Sequence, residues 1–296
     1  MTRVVTCSKF NEVSADMGRM GHAEYWLLGG RGSTKSSFAA MQIVMGLLED
    51  TSANAIVYRR VGNTLADSVY AAIATAIGRL GWESLFRFRK SPLEIVRVDT
   101  GQRIMFRGAD DPMKSKSITL TRGYFKFLWF EELTEFRSLE DVHSIQQSVL
   151  RGVDRAVTIF TYNPPKTAQN WVNEEALKPR ADRFIHSSTY LDVISEHRDW
   201  LGESFIALAD SIRETNERAY RNEYLGEVTG TGGNVFDNLE LREIDSKEID
   251  SLETFYNGLD FGFATDPDAF TRWAYSRRTR RLYAVEEYYG SHTNID

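Results

Sequence analysis

The stretch YWLLGGRGSTKS, residues 25–36, decides how the rest of this chain is interpreted. The apolar run Tyr25–Leu28 is followed by a glycine-rich turn and by a helical pattern that begins near Ser36. A strand, such a turn and a helix N-terminus form an anion site in this order, because glycines let backbone N–H groups turn inward and the first helical turn adds unpaired donors. The stretch therefore predicts a phosphate-binding loop, here called the P-loop (residues 29–36).

The P-loop pattern assigns a role to each of its residues. Lys35 is expected to reach the β and γ phosphates of ATP, and the Ser36 hydroxyl to bind Mg²⁺. The other loop residues expected to contact the nucleotide are Gly29, Gly30, Arg31, Gly32, Ser33 and Thr34. The alternative is a glycine-rich β-turn followed by a chance Lys-Ser pair, which the flanking strand and helix patterns disfavour.

Two residues of the P-loop are unusual. Thr34 stands where the pattern has its final glycine, and a β-branched residue is costly there if the loop needs a positive φ. Arg31 adds a charge that most such loops lack. Its guanidinium could stabilise the γ-phosphoryl group during transfer, in cis or across a subunit boundary. An exposed arginine or a salt bridge to a neighbouring acid is an equally good interpretation.

Apolar strand patterns alternate with helical patterns up to about residue 225. The strand patterns are residues 25–28, 55–58, 124–130, 156–160 and 183–186, with a hairpin over 93–106. This alternation predicts an α/β fold with a mostly parallel sheet. Ligands of such sheets bind beyond the carboxyl ends of the strands. Arg59, Glu131, Glu132 and Asn163 all follow a strand pattern, as the P-loop does, so we expect them to converge.

The pair Glu131–Glu132 ends the most apolar strand pattern of the chain. Glu131 is expected to hold Mg²⁺ directly or through water, and Glu132 to accept a proton from the attacking water as a general base. Two carboxylates at an ordinary helix N-terminus are the alternative. Asn163 could contact the γ-phosphate, although a plain Tyr-Asn-Pro-Pro turn is the simpler interpretation.

The sequence changes character after Gly226. We expect a first domain over residues 1–226, a linker over 227–253 and the truncated start of a second domain over 254–296. The last part carries three strand patterns, with Asp260 and Glu287 among its carboxylates. Carboxylates on adjacent strands could share Mg²⁺ or Mn²⁺ for phosphodiester cleavage, but one carboxylate is not a site.

The composition is that of an ordinary globular protein, with 296 residues and a net charge of −6. The acidic balance gives no global signal for nucleic-acid binding, so any such contact must be local. Cys7 is the single cysteine, which rules out an intrachain disulfide and suits a reducing cytoplasm. No apolar run approaches the roughly 20 residues of a membrane span, so no membrane partner is expected.

Seven stretches, in this order along the chain, resemble motifs of the large terminase subunits of tailed bacteriophages, of the SPP1/PBSX type. They are LLGGRGSTKSS, VYRRVGNTLADSVY, FRGADDPMKSKSI, FLWFEELTEF, FTYNPP, STYLD and GLDFGFATDPDAF with LYAVEEYY. The resemblance implies an N-terminal P-loop ATPase domain of the ASCE (RecA-like) class that drives double-stranded DNA into a procapsid. It also implies a C-terminal RNase H-like nuclease that cuts concatemeric DNA.

The resemblance implies partners and site residues as well. The partners are double-stranded DNA, the portal protein, a small terminase subunit and further copies of the chain in a ring. The location is the bacterial host cytoplasm, transiently at the portal vertex. By matching position, Lys35 and Ser36 would hold the phosphates and Mg²⁺, and Arg31 resembles the family's P-loop arginine. Glu131 and Glu132 would be the metal-binding and catalytic residues. Asn163 would couple hydrolysis to movement, and Asp260 would be the first nuclease carboxylate. Because the family's later carboxylates come from further along the sequence, we expect ATP hydrolysis without DNA cleavage.

Two other functions are compatible with a P-loop. A two-lobed helicase needs a second RecA-like half, which the short β-rich sequence after Gly226 does not supply. A non-hydrolysing nucleotide-binding assembly protein has no need of a base at Glu132.

Overall fold

A computed structural model describes residues 6–110, 120–230, 240, 242–252, 254–261 and 268–290. The chain divides into two compact units, Met1–Val235 and Phe236–Asp296. This division lies within the predicted linker, but the predicted domain limits themselves stay a prediction. Parts of three sequence features lie outside the described residues: the glycine-rich segment 230–234, the motif 106–118 and the motif 258–270.

The first unit is built on an eight-stranded sheet with the order β3-β4-β5-β2-β6-β7-β1-β8. Its strands are β1 (Glu24–Gly29), β2 (Ala53–Arg59), β3 (Phe86–Lys90), β4 (Leu93–Arg97), β5 (Arg103–Gly108), β6 (Tyr124–Glu131), β7 (Val157–Tyr162) and β8 (Arg183–Ser188). All neighbours from β5 to β8 run parallel, while β3–β4 and β4–β5 pair antiparallel. The mostly parallel sheet and the hairpin over 93–106 are thus confirmed.

Helices precede, separate and follow the strands of this sheet. They are α1 (Asn11–Arg19), α2 (Lys35–Glu49), α3 (Ala71–Arg79), α4 (Leu139–Val149), α5 (Trp171–Ala176), α6 (Tyr190–His197), α7 (Glu203–Thr215) and α8 (Glu217–Glu223). Successive residues of a strand point to opposite faces, so one strand serves two cores. Tyr25 and Leu27 belong to the core that contains α2, whereas Trp26 belongs to the core that contains α4.

Two helical regions differ from expectation. The apolar residues Leu65, Val69, Ile73 and Ile77 repeat every four positions, which predicts one α-helix from Asn63. The structure divides this region into a 3₁₀ turn (Gly62–Thr64), a π-helical turn (Ala66–Tyr70) and α3. The Tyr70 N–H donates to the Leu65 carbonyl at 3.0 Å, five residues back, and the apolar stripe stays buried despite this change of register. The weakly patterned N-terminus contains α1, whose short apolar stripe gave little periodic signal.

Helices α6, α7 and α8 form a third, smaller core beside the P-loop, made of Tyr190, Ala209, Tyr220 and Tyr224 with partly buried neighbours. This core needs glycines in the loop. A Cβ atom at Gly30 would overlap the Tyr224 carbonyl oxygen, and one at Gly32 would lie 2.7 Å from the Phe205 ring. The P-loop glycines are therefore required by packing, apart from any contact with phosphate.

The second unit contains a three-stranded antiparallel sheet, β11-β10-β9, and one short helix among its described residues. Its elements are α9 (Ser246–Asp250), β9 (Phe255–Asp260), β10 (Asp268–Ser276) and β11 (Arg281–Gly290). Ala274 and Tyr283 are the buried apolar residues among those described in this unit. In the described part of the chain, no helix combines the length and apolar character needed to cross a membrane.

Candidate nucleotide-binding site

The P-loop lies between the last residue of β1 and the first residue of α2, as the sequence predicts. Thr34 has φ 61° and ψ 13°, in the left-handed region that suits glycine. This conformation costs an L-residue roughly 1–2 kcal/mol, and β-branching at Cβ makes it less favourable still. The position therefore needs the positive φ that the usual glycine supplies, and threonine holds it under strain.

Lys35 lies at the centre of the candidate site. Its side chain is buried, and its Nζ atom donates to Asn163 Oδ1 at 2.5 Å and to the Gly30 carbonyl at 3.2 Å. Burial lowers the pKa of Lys35 to about 8, because the charged form is poorly solvated there, while the charges of Glu132 and Glu131 oppose this shift. The P-loop, the tip of β6 and the tip of β7 thus meet at one place.

The sheet order explains this meeting. Strand β7 lies between β1 and β6, so the residue that follows β7 faces the gap between the P-loop and the two glutamates. Asn163 is that residue, because β7 ends at Tyr162. Three segments that are far apart along the chain are therefore adjacent in space.

Glu131 is the last residue of β6, and its carboxylate is buried. Burial raises the pKa of Glu131 to about 7; the Arg59 guanidinium and a hydrogen bond from Ser36 pull it back down. Within the described part of the chain, its Oε2 atom accepts no hydrogen bond. A carboxylate oxygen and the Ser36 hydroxyl are the hard oxygen ligands that Mg²⁺ prefers, so these residues fit the metal.

Glu132 follows β6 in a left-handed conformation, with φ 52° and ψ 57°. Such a conformation is uncommon for a residue other than glycine, and strain of this kind clusters at functional sites. The charge of Glu132 raises the pKa of Lys35, so the carboxylate is close enough to the P-loop lysine for the two charges to interact.

Arg59 has a larger part in the site than the sequence suggested. Its Nε atom lies 3.6 Å from Glu131 Oε2, and its terminal NH2 group donates to Glu135 Oε1 at 2.9 Å. The side chain is only 14% exposed. In the sequence, Arg59 stands out only because it follows a strand pattern. Its ion pair with Glu131 depends on β2 and β6 being neighbours in the sheet, which the sequence does not show.

Arg31 pairs with an acidic residue at the end of α8. Its side chain is 64% exposed, and its Nε atom is 3.9 Å from Glu223 Oε2 at the end of α8. Its backbone N–H donates to the Glu223 carbonyl at 2.7 Å. Arg31 thus forms a salt bridge to a neighbouring acid, which is one of the interpretations that the sequence allows. Its catalytic role stays a prediction.

A cavity of about 360 Å³ lies beside the P-loop. Its walls include residues 32–38, Cys7 and Phe10 before α1, Arg79 at the end of α3, and Trp200 with Leu201 after α6. The volume is within the range of small-molecule pockets.

The two candidate nuclease carboxylates lie on the outer strands of the small sheet. Asp260 of β9 pairs with Ala269, and Glu287 of β11 pairs with Thr271, so both are on one face of the sheet but on either side of β10. Two strand spacings separate these strands by about 10 Å. No cluster of three metal-binding side chains occurs among the described residues, so the nuclease site stays a prediction.

Comparison with known proteins gives the family. Residues 22–227 match the family model described as phage terminase large subunit. The chain belongs to the phage terminase large subunit family. The match spans the P-loop, both glutamates and Asn163, so the candidate site of this terminase lies within the part that defines the family.

Two curated relatives agree with this assignment. The chain is 39% identical over 287 residues to the terminase large subunit of Bacillus phage SPP1, covering 94% of this chain and 66% of that protein. It is 29% identical over 288 residues to the PBSX phage terminase large subunit of Bacillus subtilis strain 168, covering 89% and 64%. The chain therefore spans about two thirds of the length of these relatives, and the SPP1/PBSX resemblance is confirmed.

Solved structures show the same fold at low identity. The large terminase from a thermophilic bacteriophage aligns with a TM-score of 0.59 at 15% identity, covering 97% of this chain and 68% of that chain. The complex of the same thermophilic phage terminase with ATP-γ-S aligns with a TM-score of 0.53 at 15% identity, covering 96% and 68%.

Proposed function

We propose that this terminase binds and hydrolyses ATP in the cleft between the P-loop and the tips of β6 and β7. The observation that supports this proposal is the hydrogen bond of 2.5 Å from Lys35 to Asn163, beside the charges of Glu131 and Glu132. A buried cation with carboxylates close by is the arrangement that phosphoryl transfer needs. The thermophilic phage terminase, which has this fold, has been solved with an ATP analogue.

Each residue of the cleft has a chemical role in this proposal. The P-loop backbone and Lys35 bind the phosphates, and Lys35 stabilises negative charge on them. Ser36 and Glu131 would hold Mg²⁺, which neutralises phosphate charge when bound. Glu132 accepts the proton of the attacking water, and the fixed backbone at this residue limits where its carboxylate can lie.

The family supports a larger proposal for the whole protein. ATP hydrolysis drives double-stranded DNA into a procapsid, with copies of the chain in a ring on the portal protein and a small terminase subunit that recognises the DNA. The work takes place in the cytoplasm of the bacterial host. Asp260 and Glu287 would contribute to a metal-dependent nuclease.

The variant Glu132→Gln tests the hydrolysis step. We expect ATP turnover to fall by about 100-fold or more, because general-base catalysis contributes about 10²–10⁴-fold. ATP affinity should stay close to that of the wild type, since a glutamine side chain has nearly the same shape as glutamate. Turnover and equilibrium binding are measured on the same preparations, with and without double-stranded DNA.

Glu135→Gln is the matched control, because Glu135 is a partly exposed carboxylate of the same segment that pairs with Arg59. Its turnover should remain within about threefold of the wild type, as is usual for exposed ion pairs. Unchanged turnover in Glu132→Gln would favour a different base. Binding without any turnover in the wild type would favour the non-hydrolysing assembly protein, and strand separation would favour a helicase.

A further inference from the structure

The walls of the cavity beside the P-loop include Lys35 but neither of the two glutamates. Lys35 and Ser36 line this cavity, whereas Glu131, Glu132 and Asn163 are not among the described residues that form its walls. On the proposed function, the reacting γ-phosphate lies at the glutamates. The other end of the nucleotide, with its sugar and base, then extends from the loop into the cavity.

Three aromatic side chains line this cavity, and they differ in how much of each ring is accessible. Phe10 and Phe38 stack on each other, with ring centroids 4.4 Å apart, and are 1% and 2% exposed. Both of these rings are therefore covered by protein. Trp200 is 37% exposed, so among these three residues it is the one on which another planar ring can stack.

The Trp200 ring is also held in place. It stacks on His197 with centroids 4.0 Å apart and an interplanar angle of 8°, which fixes its plane. Helix α6, just before this ring, is tied to the part of the cavity wall that contains Cys7, because the Ser8 backbone N–H donates to Glu196 Oε2 at 2.8 Å and the Cys7 thiol donates to the Asp192 carbonyl at 3.4 Å. The parts of the wall that contain Cys7 and Trp200 therefore keep a defined spacing.

We propose that Trp200 stacks on the base of the bound nucleotide and is the residue that binds a nucleoside triphosphate in preference to a bare polyphosphate. This inference rests on the proposed function and adds to it the recognition of the base. Stacking is tolerant of base identity, because every base has a π face, so the ligand class is nucleoside triphosphates rather than ATP alone.

The test compares two ligands on one set of variants by isothermal titration calorimetry. The ligands are ATP and inorganic triphosphate, which shares the phosphates but has no base. In Trp200→Ala we expect ATP affinity to fall about ten-fold, within the range for loss of a base–aromatic stack, and triphosphate affinity to stay unchanged. Trp200→Phe keeps an aromatic face and should recover most of the lost ATP affinity.

Phe88→Ala is the matched control, because Phe88 is 39% exposed and does not line the cavity. It should leave the affinity for both ligands unchanged. Equal ATP affinity in Trp200→Ala and the wild type would overturn the inference. A parallel loss of ATP and triphosphate affinity in Trp200→Ala would also overturn it, since Trp200 would then support the loop and not the base.

Failure of the proposed function has a different pattern. If the wild type binds neither ligand, or if Lys35→Ala binds both as well as the wild type does, the P-loop is not the phosphate site. If Lys35→Ala loses both ligands while Trp200→Ala loses neither, the function stands and the role of Trp200 is wrong.

Discussion

At the scale of single residues, Thr34 has the clearest conflict between side chain and backbone. It holds φ 61° without a side-chain hydrogen bond that caps α2. The strain must be offset by the packing around the loop, since an isolated threonine would avoid this region. A glycine at this position would adopt the same conformation without steric cost.

We therefore expect Thr34→Gly to raise the free energy of unfolding by about 0.5–1 kcal/mol. The relief of roughly 1–2 kcal/mol of left-handed strain is partly cancelled by the greater entropy of glycine in the unfolded chain. Urea denaturation measures the change. Thr34→Ala keeps the Cβ atom, so its free energy of unfolding should rise less than that of the glycine variant. A lower free energy of unfolding in Thr34→Gly would show that the threonine side chain makes a contact that outweighs its strain.

The two shifted pKa values of the site predict a narrow pH range for ATP hydrolysis. Below the Glu131 pKa of about 7, this carboxylate becomes protonated and loses the negative charge that a metal ligand needs. Above the Lys35 pKa of about 8, the ammonium group loses its proton and its positive charge. Since kcat/KM reports groups of the free enzyme, its profile should be bell-shaped with a maximum between these values.

Steady-state ATPase rates at low ATP concentration across neutral pH measure this profile. The Arg59 charge lowers the pKa of Glu131, so Arg59→Gln should move the acidic limb to higher pH. Arg60→Gln, at the neighbouring position, serves as the control and should leave the acidic limb in place. A flat profile in the wild type would contradict both assignments.

The sequence predicted that the P-loop, both glutamates and Asn163 converge, because each follows a recognisable strand pattern, and the structure brings them together. Their roles in ATP hydrolysis stay a prediction. The sequence did not predict the contact of Arg59 with Glu131, because that contact depends on the spatial neighbours of β2. Trp200 was not singled out either. Its proposed role depends on a cavity wall formed by segments that are distant in sequence, and no local sequence pattern indicates such a wall.

At the scale of elements, the junction between the P-loop and the end of α8 is tightly packed. The backbone of the loop touches the end of this helix, and a Cβ atom at Gly30 would overlap the Tyr224 carbonyl oxygen. A backbone oxygen cannot move aside as a flexible side chain can. The helix and the loop are therefore positioned together.

Gly30→Ala should lower the free energy of unfolding by about 2 kcal/mol or more, which is typical of overpacking against a rigid neighbour. Gly18→Ala is the control, because Gly18 lies in α1 with nothing within 4 Å of an added Cβ. There alanine should stabilise the helix, by up to about 1 kcal/mol. Equal stability of Gly30→Ala and the wild type, measured by urea denaturation, would show that α8 can move away from the loop.

Elements with a strong period were predictable, and elements with a weak one were not. The strands of the first unit that cross the core carry apolar runs, and α2 and α4 carry helical apolar patterns. The edge strand β3 does not, since its residues after Phe86 are exposed. The π-helical turn at Ala66–Tyr70 was also missed, because the apolar residues of this region repeat every four positions as in an α-helix.

At the scale of the whole molecule, the proposed ATP site is contained in one of the two units. The P-loop, both glutamates, Asn163 and Trp200 all belong to Met1–Val235. This unit also holds the three apolar cores of the described residues. Its fold should not depend on the second unit.

We expect a protein consisting of residues 1–235 to bind ATP with an affinity within about threefold of that of the full chain, because the unit has its own core. Calorimetric titration of both proteins measures this. Residues 236–296 alone should not unfold cooperatively, since the described part of this unit buries few apolar side chains. A large loss of affinity in the shorter protein would place part of the site outside the first unit.

The hydrogen bond between Lys35 and Asn163 has a consequence for selectivity among anions. The Lys35 ammonium group has a neutral amide oxygen, Asn163 Oδ1, as its partner. We expect an anion that binds at Lys35 to displace that amide, and the anionic oxygens of a multiply charged phosphate chain are stronger acceptors than a neutral amide oxygen. On the proposed function, we therefore expect chloride and other singly charged ions to compete poorly at Lys35 with a solute that carries several charges on adjacent groups.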